Sequence, residues 1–236
     1  MKNFAFIFAR GGSKGLPGKN IKLLGGKPLL QYSIDVALVT PSIEKVFVST
    51  DDLEIAKIAV TNGAILIERP FELACDTSPE WLSWRHAINW VFERYGAFDG
   101  FISLPATSPL RCVEDIEAAI EQRNKKQADV CISITPASRS PYFNMVKIEE
   151  NGLVELVNKS QSEVTRRQDA PEVFDITTVV YATTPEFVLN NYGLFSGLVT
   201  SIEVPKERAV DIDDIYDFKL AEAILQEQEQ NNGKSS

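Results

Sequence analysis

The sequence predicts an α/β fold built on a mostly parallel sheet, and three observations carry that prediction. Short apolar runs alternate with amphipathic segments of ten or more residues as far as Thr135, the pattern of βαβ units. The first apolar run ends on Arg10-Gly11-Gly12, and a loop after a strand of a parallel sheet is where ligands bind. The alternation weakens after Pro136, which predicts a small β-rich lobe inserted in the sheet domain.

Each element follows from a local signal. Asn3–Ala9 reads as a buried strand because it is short, apolar and closed by glycines. Pro28 opens a helix with Leu29, Leu30, Ile34, Ala37 and Leu38 on its apolar positions. Lys45–Ser49 is the next strand. Thr50-Asp51-Asp52 caps a helix running to about Asn62, with Gly63 as its stop. Ala64–Ile67 is a third strand, Ser78–Tyr95 a helix ended by Gly96, and Gly100–Leu104 a strand. Val113–Lys126 is a helix with Glu114 and Asp115 near its positive end, and Val130–Thr135 a strand. Beyond Pro136, strands are expected at Pro141–Ile148, Leu153–Val157, Phe174–Ala182 and Val199–Val204, then a helix over Ile212–Gln228 and a polar, fraying tail. The domain reading is an α/β domain at 1–136 and 173–236 with a lobe at 137–172.

Charge is distributed unevenly. The chain has 236 residues and a net charge of −9, which argues against nucleic-acid binding. Yet Lys2, Arg10, Lys14, Lys19, Lys22 and Lys27 all precede the first acidic residue, Asp35. An acidic protein that must hold an anionic small molecule needs such a local cationic loop. The glycines in it let backbone N–H groups approach a polyphosphate. Two familiar phosphate loops fail: Ser13 and Asn20 break GxxxxGK[ST], and GxGxxG has no match. The apolar run Phe4–Ala9 is too short for a signal or membrane segment. Cys75, Cys112 and Cys131 lack metal-type spacing. The expectation is therefore a soluble cytoplasmic protein with free thiols. His86, the one histidine, falls on the apolar pattern of the Ser78–Tyr95 helix and reads as packing.

The wording of the loop is more specific. "ARGGSKGLPGKNIKLLGGKPLLQYSI", Glu68-Arg69-Pro70, "ELACDTS", "TSPLR" at 107–111, "RRQ" at 166–168 and "VDIDDIYDF" at 210–218 occur in order over nearly the whole chain. Together they resemble the CMP-sialic acid synthetases (acylneuraminate cytidylyltransferases). The resemblance implies a Rossmann-like nucleotidyltransferase domain with a small dimerisation lobe, and a substrate pair of CTP and a 2-keto-3-deoxy sugar acid, giving the CMP-sugar and pyrophosphate. Arg10 and Lys19 are then the phosphate-holding, catalytic cations, helped by Lys14 and the Gly11-Gly12 backbone. Asn20 and Arg69 contact the nucleotide, and the backbone near Ser78 lines the base. The partners are small molecules and a second copy of the chain, not nucleic acid or membrane. An octulosonic acid in place of the nonulosonic one, or a non-catalytic nucleotide-binding module, are the alternatives.

Asp211 and Asp213 stand two apart, and in extended backbone such residues point to one side. Two readings fit: a carboxylate pair for Mg²⁺ (or Mn²⁺), or acidic residues at the positive end of the last helix. The resemblance assigns them to the metal and leaves Asp214 and Asp217 to the helix. One of the pair, Asp211 above all, or a hydroxide on the metal would take the proton of the anomeric hydroxyl. Arg111 reads either as a solvated helix entry or as a sugar contact with Pro105, Thr107 and Ser108. By the resemblance Arg167 meets the sugar or the pyrophosphate.

On the sugar side the chain departs from the family pattern. Pro105 stands where a glutamine is usual, Asn144 where a lysine is, and Phe174-Asp175-Ile176-Thr177-Thr178 where Tyr-Arg-Pro-Asn-Gly is common. Asp175 replaces an arginine and would repel an acid group or accept from hydroxyls or an amine. A sugar acid with an altered tail is the expected substrate.

Overall fold

The computed structural model describes residues 1–159 and 166–234. β1 (Asn3–Phe8) leads through the glycine loop to a two-stranded hairpin, β2 (Leu23–Leu24) and β3 (Lys27–Pro28). Then come α1 (Leu29–Val39), β4 (Ile43–Thr50), α2 (Leu53–Thr61), β5 (Ile65–Glu68), α3 (Glu80–Tyr95), β6 (Gly100–Ser103), α4 (Val113–Lys126) and β7 (Val130–Pro136). β8 (Val146–Ile148) and β9 (Val154–Leu156) form their own antiparallel pair. β10 (Phe174–Thr183), α5 (Pro185–Asn190), β11 (Val199–Glu203) and α6 (Ile215–Lys234) complete the described chain.

The main sheet has seven strands in the order β11-β7-β10-β6-β1-β4-β5. All pairings are parallel except those of β10, which runs antiparallel to both β6 and β7. Side chains alternate across a strand, and β1 shows the consequence. Ala5 and Ile7 face one core with Leu30, Ile34, Ile55, Ile116 and Ile120 from α1, α2 and α4. Phe4 and Phe6 face the other, with Trp84, Ile88 and Val91 of α3. That second layer is aromatic: Phe6 stacks on Phe101 with centroids 4.5 Å apart and on Phe47 at 5.3 Å. A third cluster, including Leu16, Leu29, Ile212 and Phe218, packs α6 against the glycine loop. It joins the first loop of the chain to the 211–213 segment.

The structure corrects several boundaries. Pro79 precedes the first turn of α3, so the helix starts at Glu80 rather than Ser78. The last helix begins at Ile215, not Ile212, because Asp214 Oδ1 accepts from Tyr216 and Asp217 N–H and ends the extended segment there. It then runs to Lys234 instead of stopping at Gln228. The expected strand at Pro141–Ile148 is a turn over its first half, with the N–H groups of Phe143, Asn144 and Met145 all donating to the Ser140 carbonyl. Part of the expected lobe, residues 160–165, lies outside the described residues. No helix among the described residues is long and apolar enough to cross a membrane.

Candidate active site

The loop after β1 lies at the carboxyl ends of the parallel strands. Ala9 N–H donates to the Ser49 carbonyl, so β1 and β4 stay paired up to the loop. Buried Asn20 donates from Nδ2 to the Arg10 carbonyl at 3.0 Å and draws the far side of the loop back to its start. Gly18 takes φ +64°, a left-handed turn into the Lys19–Ile21 helical turn. Gly15 passes so close to the Asp213 carbonyl oxygen that a Cβ there would collide with it. Gly12 is open, whereas the Gly11 N–H is committed to Asp51 Oδ1 at 3.2 Å.

Three cations converge, and each is held by an acid. Asp76 places Oδ1 at 2.5 Å from Arg10 Nη1 and Oδ2 at 2.5 Å from Lys14 Nζ. Lys14 and then Arg10 hold the Asp76 carboxyl below the usual carboxylate range. Lys19, with its side chain only 12% exposed, donates to the Ile212 carbonyl at 2.6 Å and to Asp213 Oδ1 at 3.2 Å. A cavity of about 410 Å³ opens between Arg10, Lys14, Lys19, Thr107 and Asp213.

The two sequence-predicted carboxylates differ in setting. Asp213 is exposed. Asp211 is partly buried, and its Oδ1 is buried with no hydrogen-bond partner. Burial, with the Asp213 charge adding to it, raises the Asp211 pKa, while the Thr107 and Thr178 hydroxyls and the Lys19 charge pull the other way. Asp217 Oδ2 accepts from the N–H of both Asp213 and Asp214 at 3.0 Å. Asp214 and Asp217 thus cap the helix. Among the described residues no three His, Cys, Asp or Glu gather as a metal cage. Two carboxylates, one with an orphaned oxygen, fit a cation that takes its remaining ligands from phosphate and water.

A second cavity, about 260 Å³, adjoins the first through Phe8 and Arg10. Arg69 and Ser78 line it. Arg69 is buried, donates from Nε to Ser49 Oγ and from Nη2 to the Ser49 carbonyl, and lies over the Phe8 ring. Burial lowers its pKa. The Ser78 hydroxyl is buried without a partner. The cavity's walls combine the apolar Phe8 and Leu73 with Asp76 and Glu80.

The residues named for the sugar divide into two sets. Thr107 lines the cationic cavity. Ser108 and Arg111 lie beneath it: Ser108 Oγ is 2.6 Å from Thr178 Oγ1, and Arg111 is 5% exposed. Arg111 donates to Ser33 Oγ and to the carbonyls of Pro105 and Thr178. It forms no ion pair among the described residues, and burial brings its pKa down to about 9. It is not the solvated helix entry that its position suggested. The second set surrounds residues 137–140 at the outer end of β7. There Asn144 Oδ1 accepts from Ser140 N–H, Asp175 Oδ2 from Ser138 N–H, and Arg167 Nη2 donates to the Ala137 carbonyl. Arg166 is tied instead to Asp169.

Sequence reasoning missed Asp76 and Thr178 as members of this region. Asp76 carried a signal, an acid in a motif that accompanies the cationic loop. Thr178 carried none by itself.

A family model described as "Cytidylyltransferase" matches residues 4–232. The chain is 33% identical over 223 residues to post-translational flagellin modification protein B of Campylobacter coli, covering 94% of each chain. It is 33% identical over 221 residues to the CMP-N,N'-diacetyllegionaminic acid synthase of Campylobacter jejuni, covering 93% of each. Among solved structures, a CMP:2-keto-3-deoxy-manno-octonic acid synthetase complexed with CTP superposes with a TM-score of 0.72 at 18% identity, covering 97% of this chain and all of that one. That likeness shows the nucleotidyltransferase fold.

Proposed function

This chain belongs to the cytidylyltransferase family, and we propose that within it the chain joins CTP to a nonulosonic acid of sialic type. The anomeric hydroxyl attacks the α-phosphorus in line, the bond to the bridging oxygen breaks, and pyrophosphate leaves with the charge. The observation that carries this reading is the cleft of about 410 Å³ lined by Arg10, Lys14, Lys19 and Asp213, with Lys19 bonded to Ile212 and Asp213 of the aspartate segment. Two substrates that are both anions must meet there. Arg10 and Lys19 hold the phosphates and stabilise the charge that grows on the leaving pyrophosphate. Arg69 and the free Ser78 hydroxyl line the adjoining cavity, where the cytosine edge offers polar groups to read. Thr107 stands where the sugar acid enters.

Asp211 and Asp213 would hold a divalent cation such as Mg²⁺. When bound, it supplies charge neutralisation at the triphosphate. The chain's own groups orient it: the orphaned Oδ1 of Asp211 awaits a partner, and Lys19 keeps Asp213 in place.

The sugar is expected to carry an altered tail, legionaminate-like rather than N-acetylneuraminate. Asp175 is exposed beside Arg167 and Asn144, where it can accept from an amide or hydroxyl but not pair with a carboxylate. Val146, Ile148, Leu153 and Val154 expose apolar surface on the β8–β9 pair, which supports a homodimer closed through this lobe. All three cysteines are free thiols, in keeping with work in the cytoplasm. The test is pyrophosphate release from CTP with a panel of sugar acids.

A further inference from the structure

Asp211 and Asp213 lie on a stretch that belongs to neither the sheet nor a helix. The chain leaves the sheet where Val204 N–H donates to the Ile134 carbonyl at 2.8 Å. A tight turn follows, with the N–H groups of Arg208 and Ala209 both donating to the Pro205 carbonyl. Val210 and Ile212 are buried in the cluster with Leu16 and Phe218, so Asp211 between them faces the other way. This stretch is closed against residues 107–115 at two points. At one, Ile212 N–H donates to the Thr107 carbonyl at 2.9 Å. At the other, Arg208 makes a two-pronged pair with Asp115, Nη2 to Oδ1 at 2.9 Å and Nε to Oδ2 at 3.1 Å. Asp211 falls between the two closures in sequence. Asp115 is 4% exposed, and its Oδ2 also accepts from Cys112 N–H at 3.0 Å. That bond caps α4 without help from Arg208. The guanidinium therefore serves the stretch it belongs to, and a two-pronged pair fixes orientation as well as distance.

We propose that Arg208 is a positioning residue for the aspartate pair, its two-pronged bond to buried Asp115 setting the stretch from which Asp211 and Asp213 reach a divalent cation. Mg²⁺ demands near-ideal octahedral geometry, so ligands on an irregular stretch need an anchor outside it. Lys19 holds only the far side of Asp211, at the Ile212 carbonyl and Asp213. Arg208 holds the near side. This inference rests on the metal reading given above.

The experiment is a Mn²⁺ titration followed by electron paramagnetic resonance, with CTP present and no sugar acid, read against Mn²⁺ and CTP without protein. Wild type, Arg208→Ala, Asp115→Asn, their double variant and Arg208→Lys are compared, with near-ultraviolet circular dichroism to establish that each is folded. Arg208→Ala and Asp115→Asn are each expected to bind Mn²⁺ about 10-fold more weakly, the low end for groups behind the ligands. The double variant is expected to be no weaker than either single one, because the same bond is lost in all three. Lysine keeps the charge but not the fork, and is expected to fall between alanine and wild type. A folded Arg208→Ala with a lowered Tm and wild-type Mn²⁺ affinity would overturn the proposal, because the pair would then serve stability alone. Losses that multiply in the double variant would overturn it too, since the two residues would act apart. If the alanine variant does not fold, Arg208→Lys and Asp115→Asn decide on the same readout, unchanged affinity in both overturning the proposal. Absence of Mn²⁺ binding in the wild type would overturn the metal reading and this proposal with it, an outcome the wild-type arm alone identifies.

Discussion

Asp76 Oδ1 lies 2.5 Å from Arg10 Nη1, and its other oxygen lies 2.5 Å from Lys14 Nζ. One carboxylate therefore occupies the cations that a triphosphate would need. In the proposed complex, CTP would displace it. Asp76→Asn is expected to lower KM for CTP by about two- to five-fold, as expected for losing an exposed, screened ion pair. Added salt should narrow the difference. A raised KM in steady-state assays would show that Asp76 organises the loop rather than competing for it.

Arg10→Ala and Lys19→Ala should each lower kcat by about 100- to 1,000-fold, the loss typical of one preorganised donor at a developing charge. Circular dichroism should stay native. Lys19 also donates to the Ile212 carbonyl, so its variant is expected to lose more than the Arg10 one. Near-normal turnover in both purified variants would remove the phosphate role.

Asp211 offers a prediction of opposite signs. Burial raises its pKa in the folded protein, so the folded state binds more protons than the unfolded state just above the ordinary aspartate range. Stability falls as pH rises through that window, and at neutral pH the ionised group is a cost. Asp211→Asn should therefore raise Tm of the metal-free protein, by about 2–4 °C per kcal/mol recovered, while turnover collapses. Calorimetry in chelator checks the first and pyrophosphate release the second. A lowered Tm would contradict the burial argument.

Cysteine labelling tests the placement of the base in the cavity lined by Arg69 and Ser78. Burial pushes Cys131 up to about 12 and Cys112 up to about 11, leaving both as unreactive thiols near neutral pH. Cys75 is exposed and lines the cavity with Arg69 and Ser78. One thiol should react with iodoacetamide at pH 8, and CTP should slow it. Peptide mapping identifies the residue. Labelling indifferent to CTP would place the nucleotide elsewhere.

The buried strands were legible because each is an apolar run closed by glycine, aspartate or proline. Phe4, Phe6, Ala5 and Ile7 separate onto two faces by strand geometry alone. Helix ends were less so, because a cap depends on which side chain turns back: Asp214, not its neighbours, starts α6. The hairpin β2–β3 and the six-residue α5 are too short to show periodicity. In the site, residue type pointed to the loop that holds Arg10 and Lys19, since a cation-rich loop without acids is visible in one dimension, while the family resemblance singled out those two cations and the aspartate pair. Depth was not visible. Arg111 looks like any surface cation in the sequence, and only the fold sinks it beneath the Pro105 and Thr178 carbonyls. The Asp76–Arg10 and Ser108–Thr178 contacts join residues 66 and 70 positions apart, which no local pattern records.

The most direct measurement is pyrophosphate release from CTP and Mg²⁺, comparing kcat/KM for N,N'-diacetyllegionaminate, pseudaminate, N-acetylneuraminate, KDO and an 8-amino octulosonate. The account predicts CTP-dependent release with a nonulosonic acid and a preference for an altered-tail sugar over N-acetylneuraminate. Preference for N-acetylneuraminate would contradict the role given to Asp175 and leave the CTP chemistry standing. No release with any sugar acid in the panel would contradict the central claim.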